Sequence, residues 1–254
     1  MKKLYLFATL FSFAMANAQL TPVKYSDDAQ ALEGFLAIPK KQIASKAAVL
    51  LLPAWMGIDN NAKENATELA KLGYTVFVAD IYGVDKRPAN TGAAGKIAGS
   101  FKKDFALYQK RIQLALNELL KANINKDKIA VIGYCFGGTG AIEAARCNLK
   151  VQGVVSFHGG LGRDASRTVE PILPKVLVLH GADDFYVPET DIKAFQAELK
   201  TAKADWQMVY YANAVHAFTH KDAGNDNSKG AAYNEKAAKR SWSAMNDFFD
   251  EIFK

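Results

Sequence analysis

The chain has 254 residues, of which 50% are hydrophobic and 23% are charged, and its formal net charge at pH 7 is +6. The charges are dispersed and form no basic stripe with interleaved aromatic residues, so we expect no nucleic-acid partner. Beyond the first residues no apolar run approaches the length of a membrane-spanning helix, so we expect no membrane insertion.

The N-terminus has the pattern of a secretory signal. Lys2 and Lys3 precede an apolar run over residues 4–15, and a small-residue Ala-Asn-Ala segment ends at residue 18. The run is too short to span a hydrocarbon core of about 30 Å. The pattern therefore predicts a signal peptide over residues 1–18 and a mature protein exported to a periplasm or to the medium. The alternative interpretation is a buried N-terminal helix.

Residues 19–254 have the pattern of one α/β domain, in which apolar strands alternate with amphipathic helices. The predicted elements are, in chain order, a β-hairpin at 23–39, a strand at 47–52, a helix at 60–72, a strand at 74–81, a glycine-rich connection at 83–99, a long helix at 101–119, a strand at 129–132, a helix after 137, strands at 151–157 and 175–180, a helix at 189–203, a strand at 206–211 and a helix at 233–253.

This alternation indicates a mostly parallel central sheet with helices on both faces. Ligands of such sheets bind beyond the carboxyl ends of the strands, so candidate site residues are those that directly follow a predicted strand. The pattern does not indicate whether the chain is a monomer or an oligomer.

The sharpest local signal is the segment Gly-Tyr-Cys-Phe-Gly-Gly at residues 133–138, between a predicted strand and a predicted helix. Small residues at 133 and 137 permit the sharp strand-to-helix turn that holds a nucleophile above a sheet, here Cys135. Amides at the start of the helix would favour the thiolate form of that cysteine. The alternative is a glycine-rich turn around a buried structural cysteine.

The second cysteine, Cys147, lies at the other end of the same predicted helix. Twelve residues of helix span about 18 Å. A disulfide requires Cα atoms within about 7 Å, so Cys135 and Cys147 cannot pair. A free thiol in an exported protein is open to oxidation, which favours a functional role for Cys135.

Partners for this thiol follow later strands in the order acid, then histidine, as expected for a nucleophile turn of this kind. Asp183 and Asp184 come directly after the strand at 175–180, and either carboxylate could face the site. His216 follows the strand at 206–211. His216 and His220 also have the spacing of a metal pair, but no third ligand accompanies them, so we predict no metal site.

These segments resemble the dienelactone hydrolase family of α/β-hydrolases, and the likeness covers nearly the whole mature chain. It is strongest at residues 133–138, at 184–188, which fit the family pattern Asp-x-x-Val-Pro, and at His-Ala-Phe from residue 216. The resemblance implies an α/β-hydrolase fold and selects Asp184 over Asp183, giving a triad of Cys135, Asp184 and His216. It also implies an oxyanion hole formed by the backbone amides of Trp55 and Phe136.

The chain departs from the family pattern at two places. Where the family enzyme has a glutamate that holds the resting cysteine as a thiol, this sequence has Ala54. We therefore hypothesise that Cys135 rests as a thiolate paired with protonated His216. The two arginines that grip a substrate carboxylate in the family enzyme correspond to Val84 and His220, with Lys86 and Arg87 nearby as candidate replacements.

The sequence therefore predicts an exported hydrolase of an ester or lactone that works through an acyl-enzyme on Cys135 and requires no metal or organic cofactor. The candidate pocket walls are Tyr82, Trp55, His158 and Phe218, although His158 could instead have a structural role. The alternatives are an acyltransferase and a non-catalytic protein that binds a small molecule or glycan on the same fold.

Overall fold

A computed structural model describes residues Leu20–Lys254. The predicted signal peptide over residues 1–18 lies outside the described residues, so it stays a prediction. Within Leu20–Lys254, no helix combines the length and the apolar character needed to cross a membrane.

A single sheet of eight strands organises the described chain, in the spatial order β1-β2-β4-β3-β5-β6-β7-β8. The strands are β1 (Leu20–Asp27), β2 (Gln30–Ala37), β3 (Ala48–Leu52), β4 (Thr75–Val78), β5 (Ile129–Tyr134), β6 (Gly153–Phe157), β7 (Lys175–Gly181) and β8 (Trp206–Tyr211). The β1–β2 hairpin joins β4 antiparallel, and every pairing from β4 to β8 is parallel. The predicted mostly parallel sheet is therefore confirmed.

Within the described residues, six α-helices cover the two faces of the sheet. They are α1 (Asn60–Lys71), α2 (Thr91–Lys103), α3 (Phe105–Leu119), α4 (Phe136–Arg146), α5 (Glu189–Thr201) and α6 (Glu235–Ile252). Buried side chains of α2, α3, α4 and α5 share one core with the sheet, and those of α1 and α6 share the other. The central strands are buried on both faces, which explains their continuous apolar sequences.

One predicted element is wrong. The sequence predicted a glycine-rich connection at 83–99 followed by a single long helix, but the structure has two helices, α2 and α3. They are separated at Asp104, whose backbone leaves helical geometry at φ −117° and ψ 73° and whose side chain caps α3 by accepting from the amide of Leu107. Gly92, Gly95 and Gly99 lie inside α2. The other predicted elements are present, with ends displaced by at most three residues.

Tertiary packing explains why α2 forms despite three glycines, each of which costs roughly 0.5–1 kcal/mol relative to alanine in a helix interior. Asn90 caps its N-terminus by accepting a hydrogen bond from the amide of Ala93. Ala94, Ala98 and Phe101 then bury one face of the helix against the core. Local propensity predicted a loop here, and the buried face overrides it.

Candidate active site

Cys135 occupies the turn between β5 and α4 with a backbone conformation of φ 54° and ψ −113°. This positive φ is unfavourable for a residue with a side chain and persists only where the surroundings impose it. They do so here: a Cβ on Gly133 would overlap the carbonyl oxygen of Gly137, and a Cβ on Gly137 would overlap the carbonyl oxygen of Leu52. Close backbone contacts thus fix the position of Cys135 at the carboxyl end of the sheet.

His216 and Asp184 meet Cys135 at this edge. The Nε2 atom of His216 lies 3.0 Å from the Sγ atom of Cys135, and its Nδ1 atom lies 2.8 Å from Oδ2 of Asp184. Asp184 follows β7 and is buried, whereas its neighbour Asp183 is exposed and does not contact the imidazole. The structure therefore brings together the three side chains that the sequence singled out.

The surroundings of this pair favour a thiolate beside an imidazolium. Burial opposes ionisation of Cys135, but the hydrogen bond and charge of His216, assisted by Lys102, lower the pKa of the thiol from its usual value of 9.0. Burial likewise opposes protonation of His216, but its contacts with Asp184 and Cys135 raise its pKa from 6.5 to about 10. Each partner stabilises the charged form of the other.

The side chain of His158 supports the turn by accepting a hydrogen bond from its backbone. The backbone amide of Cys135 donates to the carbonyl of Phe157 at 3.0 Å and to Nδ1 of His158 at 3.2 Å. Burial, reinforced by the charge of His216, lowers the pKa of His158 well below 6.5, so its ring is neutral. With Nδ1 accepting, Nε2 carries the proton and donates to Oγ1 of Thr219, 2.7 Å away.

Three of the four candidate pocket walls are buried. His158 and Phe218 are both fully buried, and their rings pack edge to face at a centroid distance of 5.0 Å. They form the inner support of the segment that carries His216 and do not line an open cleft. Tyr82 is also buried, and its hydroxyl donates to the carbonyl of Trp55 at 2.9 Å. Trp55 is 37% exposed, and its ring lies 3.8 Å from the position that a Cβ on Gly95 would occupy.

The backbone amides of Trp55 and Phe136 lie in two segments that contact each other. Gly137 packs its Cα against the carbonyls of Leu52 and Pro53, which brings the first turn of α4 against the segment that contains Trp55. Phe136 begins α4, where backbone amides have no partner within the helix. Tyr82 links the two segments, because its ring stacks on Phe136 at 5.4 Å and its hydroxyl donates to the carbonyl of Trp55.

A match to the dienelactone hydrolase family model covers residues 32–253. The chain belongs to the dienelactone hydrolase family. A solved structure of a protein called m3DLH is 32% identical, with a TM-score of 0.88 over 94% of this chain and all of that one. A dienelactone hydrolase-like promiscuous phosphotriesterase, P91, from metagenomic libraries is 34% identical, with a TM-score of 0.87 and the same coverage.

Among curated relatives, a Bradyrhizobium protein named as a probable 2-oxo-3-(5-oxofuran-2-ylidene)propanoate lactonase is 25% identical over 181 residues, which cover 67% of this chain and 73% of that protein. These likenesses confirm the predicted α/β-hydrolase fold and the prediction that the chain is an enzyme, a hydrolase of the dienelactone hydrolase type.

The side chain of Arg87 is not available as the replacement for a substrate-binding arginine of the family. It donates to a buried carboxylate, Asp80, at 3.1 Å and to the carbonyl of Glu33 at 2.9 Å. Asp80 also accepts from the amide of Gly83, so Arg87 belongs to a network that fixes the segment after β4. His220 is neutral, because burial and the nearby His216 lower its pKa.

Lys102 is a cation near the site that sequence reasoning missed. Its Nζ atom lies 3.6 Å from the position that a Cβ on Gly160 would occupy, and its charge acts on Cys135. The spacing from Gly95 to Lys102 is seven residues, which places both on one face of α2, and Gly95 faces the Trp55 ring. The spacing could have predicted that Lys102 lies near Trp55 only if residues 91–103 had been predicted to be helical.

Metal ligands are not grouped in the part of the chain that the structure describes: no cluster of three or more His, Cys, Asp or Glu side chains could hold a metal ion. Both ring nitrogens of His216 contact other side chains, Asp184 and Cys135. Both cysteines are free, as their spacing predicted.

Proposed function

We propose that this enzyme is an exported cysteine hydrolase that cleaves esters or lactones through Cys135, His216 and Asp184. The observation that carries the proposal is the continuous chain of contacts from Sγ to Nε2 at 3.0 Å and from Nδ1 to Oδ2 at 2.8 Å. A nucleophile, a base that contacts it and a carboxylate that orients the base are the parts required for acyl transfer through a covalent intermediate.

In the first half of the reaction, the Cys135 thiolate attacks the carbonyl carbon of the substrate. The carbonyl electron pair moves to the oxygen, and the amides of Trp55 and Phe136 stabilise the resulting oxyanion. One such donor is typically worth about 10²–10³ in rate. When the tetrahedral intermediate collapses, the carbon–oxygen bond to the alcohol breaks, and His216 gives its proton to the departing oxygen. The product is a thioester on Cys135.

In the second half, neutral His216 removes a proton from a water molecule while that water attacks the thioester carbonyl. Collapse of the second tetrahedral intermediate breaks the carbon–sulfur bond and returns the electron pair to the sulfur. The carboxylic acid leaves, and Cys135 is again a thiolate beside protonated His216. Asp184 keeps Nδ1 of the imidazole oriented throughout, so Nε2 always faces the sulfur.

The resting thiolate is supported by the residue at position 54. Ala54 is buried and apolar, so this position supplies no carboxylate to compete with Cys135 for the imidazole proton. The shifted pKa values of Cys135 and His216 favour the same ionised pair. We therefore expect an enzyme that needs no substrate-triggered activation and is readily alkylated.

Two alternatives use the same site. An acyltransferase would release the acyl group to an alcohol or amine, and an added acceptor that captures the group would reveal it. A non-catalytic binding protein would retain ligands without turning over any activated ester. The name of the relative P91 adds phosphotriesters as a second substrate class, because the same nucleophile and oxyanion donors could act on a phosphoryl centre.

The decisive experiment is the hydrolysis of p-nitrophenyl acetate and butyrate by residues 19–254. We expect turnover that disappears in Cys135→Ala and after iodoacetamide treatment. Cys147→Ala is the matched control, because Cys147 is free but lies at the far end of α4. That variant should keep both its activity and its sensitivity to iodoacetamide. Equal turnover by Cys135→Ala, or none by the folded and reduced enzyme, would overturn the proposal.

Export is tested separately, by expressing the full chain in a bacterial host and determining the N-terminus of the fractionated protein. We expect protein beginning at residue 19 in the periplasm or medium. Full-length protein retained in the cytoplasm would contradict export and leave the proposed chemistry unaffected.

A further inference from the structure

Two aromatic side chains lie exposed in the turn that directly follows Asp184. Phe185 is 62% exposed and Tyr186 is 58% exposed. Their rings pack on each other at a centroid distance of 4.7 Å, so they form one continuous aromatic surface. Water contact on this scale is unfavourable for two adjacent aromatic rings, and a patch of this kind commonly marks a binding surface.

This aromatic pair adjoins the imidazole of His216. The Tyr186 ring meets the His216 ring edge to face, with centroids 5.5 Å apart and planes at 80°. The backbone amide of Tyr186 donates to Oδ1 of Asp184 at 3.0 Å. Because Asp184 contacts His216 through its other oxygen, one carboxylate positions both the imidazole and the aromatic pair.

The backbone behind the pair holds it in place. Gly230 has φ 81°, and a Cβ at this position would overlap the Phe185 ring and lie 2.9 Å from the Tyr186 hydroxyl. The next residue, Ala231, bridges to His216. The two rings therefore rest against a backbone segment that is itself joined to the triad histidine. A surface arranged before the ligand arrives loses less conformational entropy on binding.

We infer that Phe185 and Tyr186 bind the alcohol portion of the substrate and select an aromatic group there. This inference rests on the proposed function and deepens it. In that mechanism His216 must protonate the departing oxygen, so the alcohol portion lies beside the imidazole and hence beside Tyr186. Aromatic rings select an aromatic partner through offset or edge-to-face contacts.

The test compares benzyl acetate with cyclohexylmethyl acetate, two esters with the same acyl group and alcohols of similar size and basicity. We expect the wild-type enzyme to prefer benzyl acetate in kcat/KM. Tyr186→Ala should reduce that preference about three- to tenfold, mainly through KM, because one aromatic contact is worth that much. The amide of residue 186 that supports Asp184 remains in this variant. Phe185→Ala should act in the same direction.

Two further variants separate binding from a general disturbance of the fold. Tyr186→Phe keeps the ring and should retain the preference for benzyl acetate. Trp206→Ala removes an exposed aromatic ring at the amino end of β8, away from the site, and should leave kcat/KM for both esters unchanged. An identical benzyl-to-cyclohexylmethyl ratio in wild type, Tyr186→Ala and Phe185→Ala would overturn the inference.

Failure of the proposed function is recognised independently, by the absence of turnover on p-nitrophenyl acetate. In that event the aromatic surface is tested by measuring the binding of benzyl alcohol to Cys135→Ala with saturation-transfer NMR. Binding that is lost when Tyr186→Ala is added supports the surface. Absence of binding, or binding that survives the second substitution, overturns it.

Discussion

Two regions near Cys135 are specified in different ways: the elbow, residues 133–138, and the wall, formed by α2 and the Trp55 ring. The elbow is determined by backbone contacts so close that Gly133 and Gly137 admit no side chain. The wall also contains glycines, yet a Cβ on Gly99 would have no other atom within 4 Å, and a Cβ on Gly95 would meet only the Trp55 ring, at 3.8 Å.

In the proposed mechanism, this difference separates the parts that perform the chemistry from those that receive the substrate. At the elbow, a displacement of Cys135 would break its contact with His216, so the turn tolerates little change. On the wall, Lys102 is exposed, so this side chain can vary without disturbing the sheet. We therefore expect large effects from substitutions near the elbow and small, selective effects from those on the wall.

The largest effect should come from Asp184→Asn, next to the elbow. The negative charge of Asp184 holds the imidazole and raises the pKa of His216, and the asparagine amide lacks that charge. We expect kcat/KM for p-nitrophenyl acetate to fall about 10²–10⁴-fold with little change in folding. Asp183→Asn is the matched control, since Asp183 is exposed, and it should remain active. Similar losses in both variants would show that general charge near β7, and not the contact with His216, matters.

Gly137→Ala tests the elbow itself. The new Cβ would overlap the carbonyl oxygen of Leu52, so the backbone must shift. We expect the free energy of unfolding to fall by more than about 3 kcal/mol, measured by urea denaturation. Gly99→Ala in α2 is the control on the wall and should stabilise the protein by about 0.5–1 kcal/mol. If both substitutions lowered the free energy of unfolding, the contrast between the two regions would be wrong.

The pH dependence of alkylation compares the two thiols of the chain. The pKa of Cys135 lies below 9.0 because of His216, whereas burial raises the pKa of Cys147, whose sulfur donates to the carbonyl of Ala144. Iodoacetamide reacts with thiolates, so labelling of Cys135 at pH 7 should be at least about tenfold faster, followed by peptide mass spectrometry. Equal rates would show that Cys135 rests as a thiol.

The activity profile follows from the same pair. In the proposed mechanism, turnover requires ionised Cys135 and protonated His216, so activity should rise as pH increases through the lowered pKa of the thiol. It should fall again as His216 loses its proton at about pH 10. His216→Gln should abolish the alkaline limb together with most of the activity. An alkaline limb near pH 7 would contradict the stabilisation of the imidazolium by Asp184 and Cys135.

The contrast between the two regions also explains how far the sequence alone could reach. The elbow is local: glycines at 133 and 137 around Cys135, between a strand and a helix, predict both the turn and the nucleophile. Asp184 and His216 follow strands of a parallel sheet, so their meeting could be predicted from topology. The choice between Asp183 and Asp184 required the family resemblance, because either could face the site.

The substrate side could not be predicted in the same way. The glycines of α2 favour a loop locally, and only burial of Ala94, Ala98 and Phe101 against the core makes the segment helical. That tertiary packing places Lys102 where its charge acts on Cys135. His158 and Phe218 end or follow strands, as wall residues would, but packing between them buries both. Proximity to the site was predictable, and accessibility was not.

The smallest effect should come from the wall, through Lys102→Gln. Lys102 is exposed, and its charge helps to lower the pKa of Cys135, so its removal should raise that pKa. Because solvent screens an exposed charge, the rate of iodoacetamide labelling at pH 7 should fall by less than about fivefold. Lys103→Gln, the neighbouring exposed lysine, should leave the rate unchanged. Added salt should weaken the difference between wild type and Lys102→Gln, whereas a difference that persists in high salt would mean that Lys102 acts by contact and not by charge.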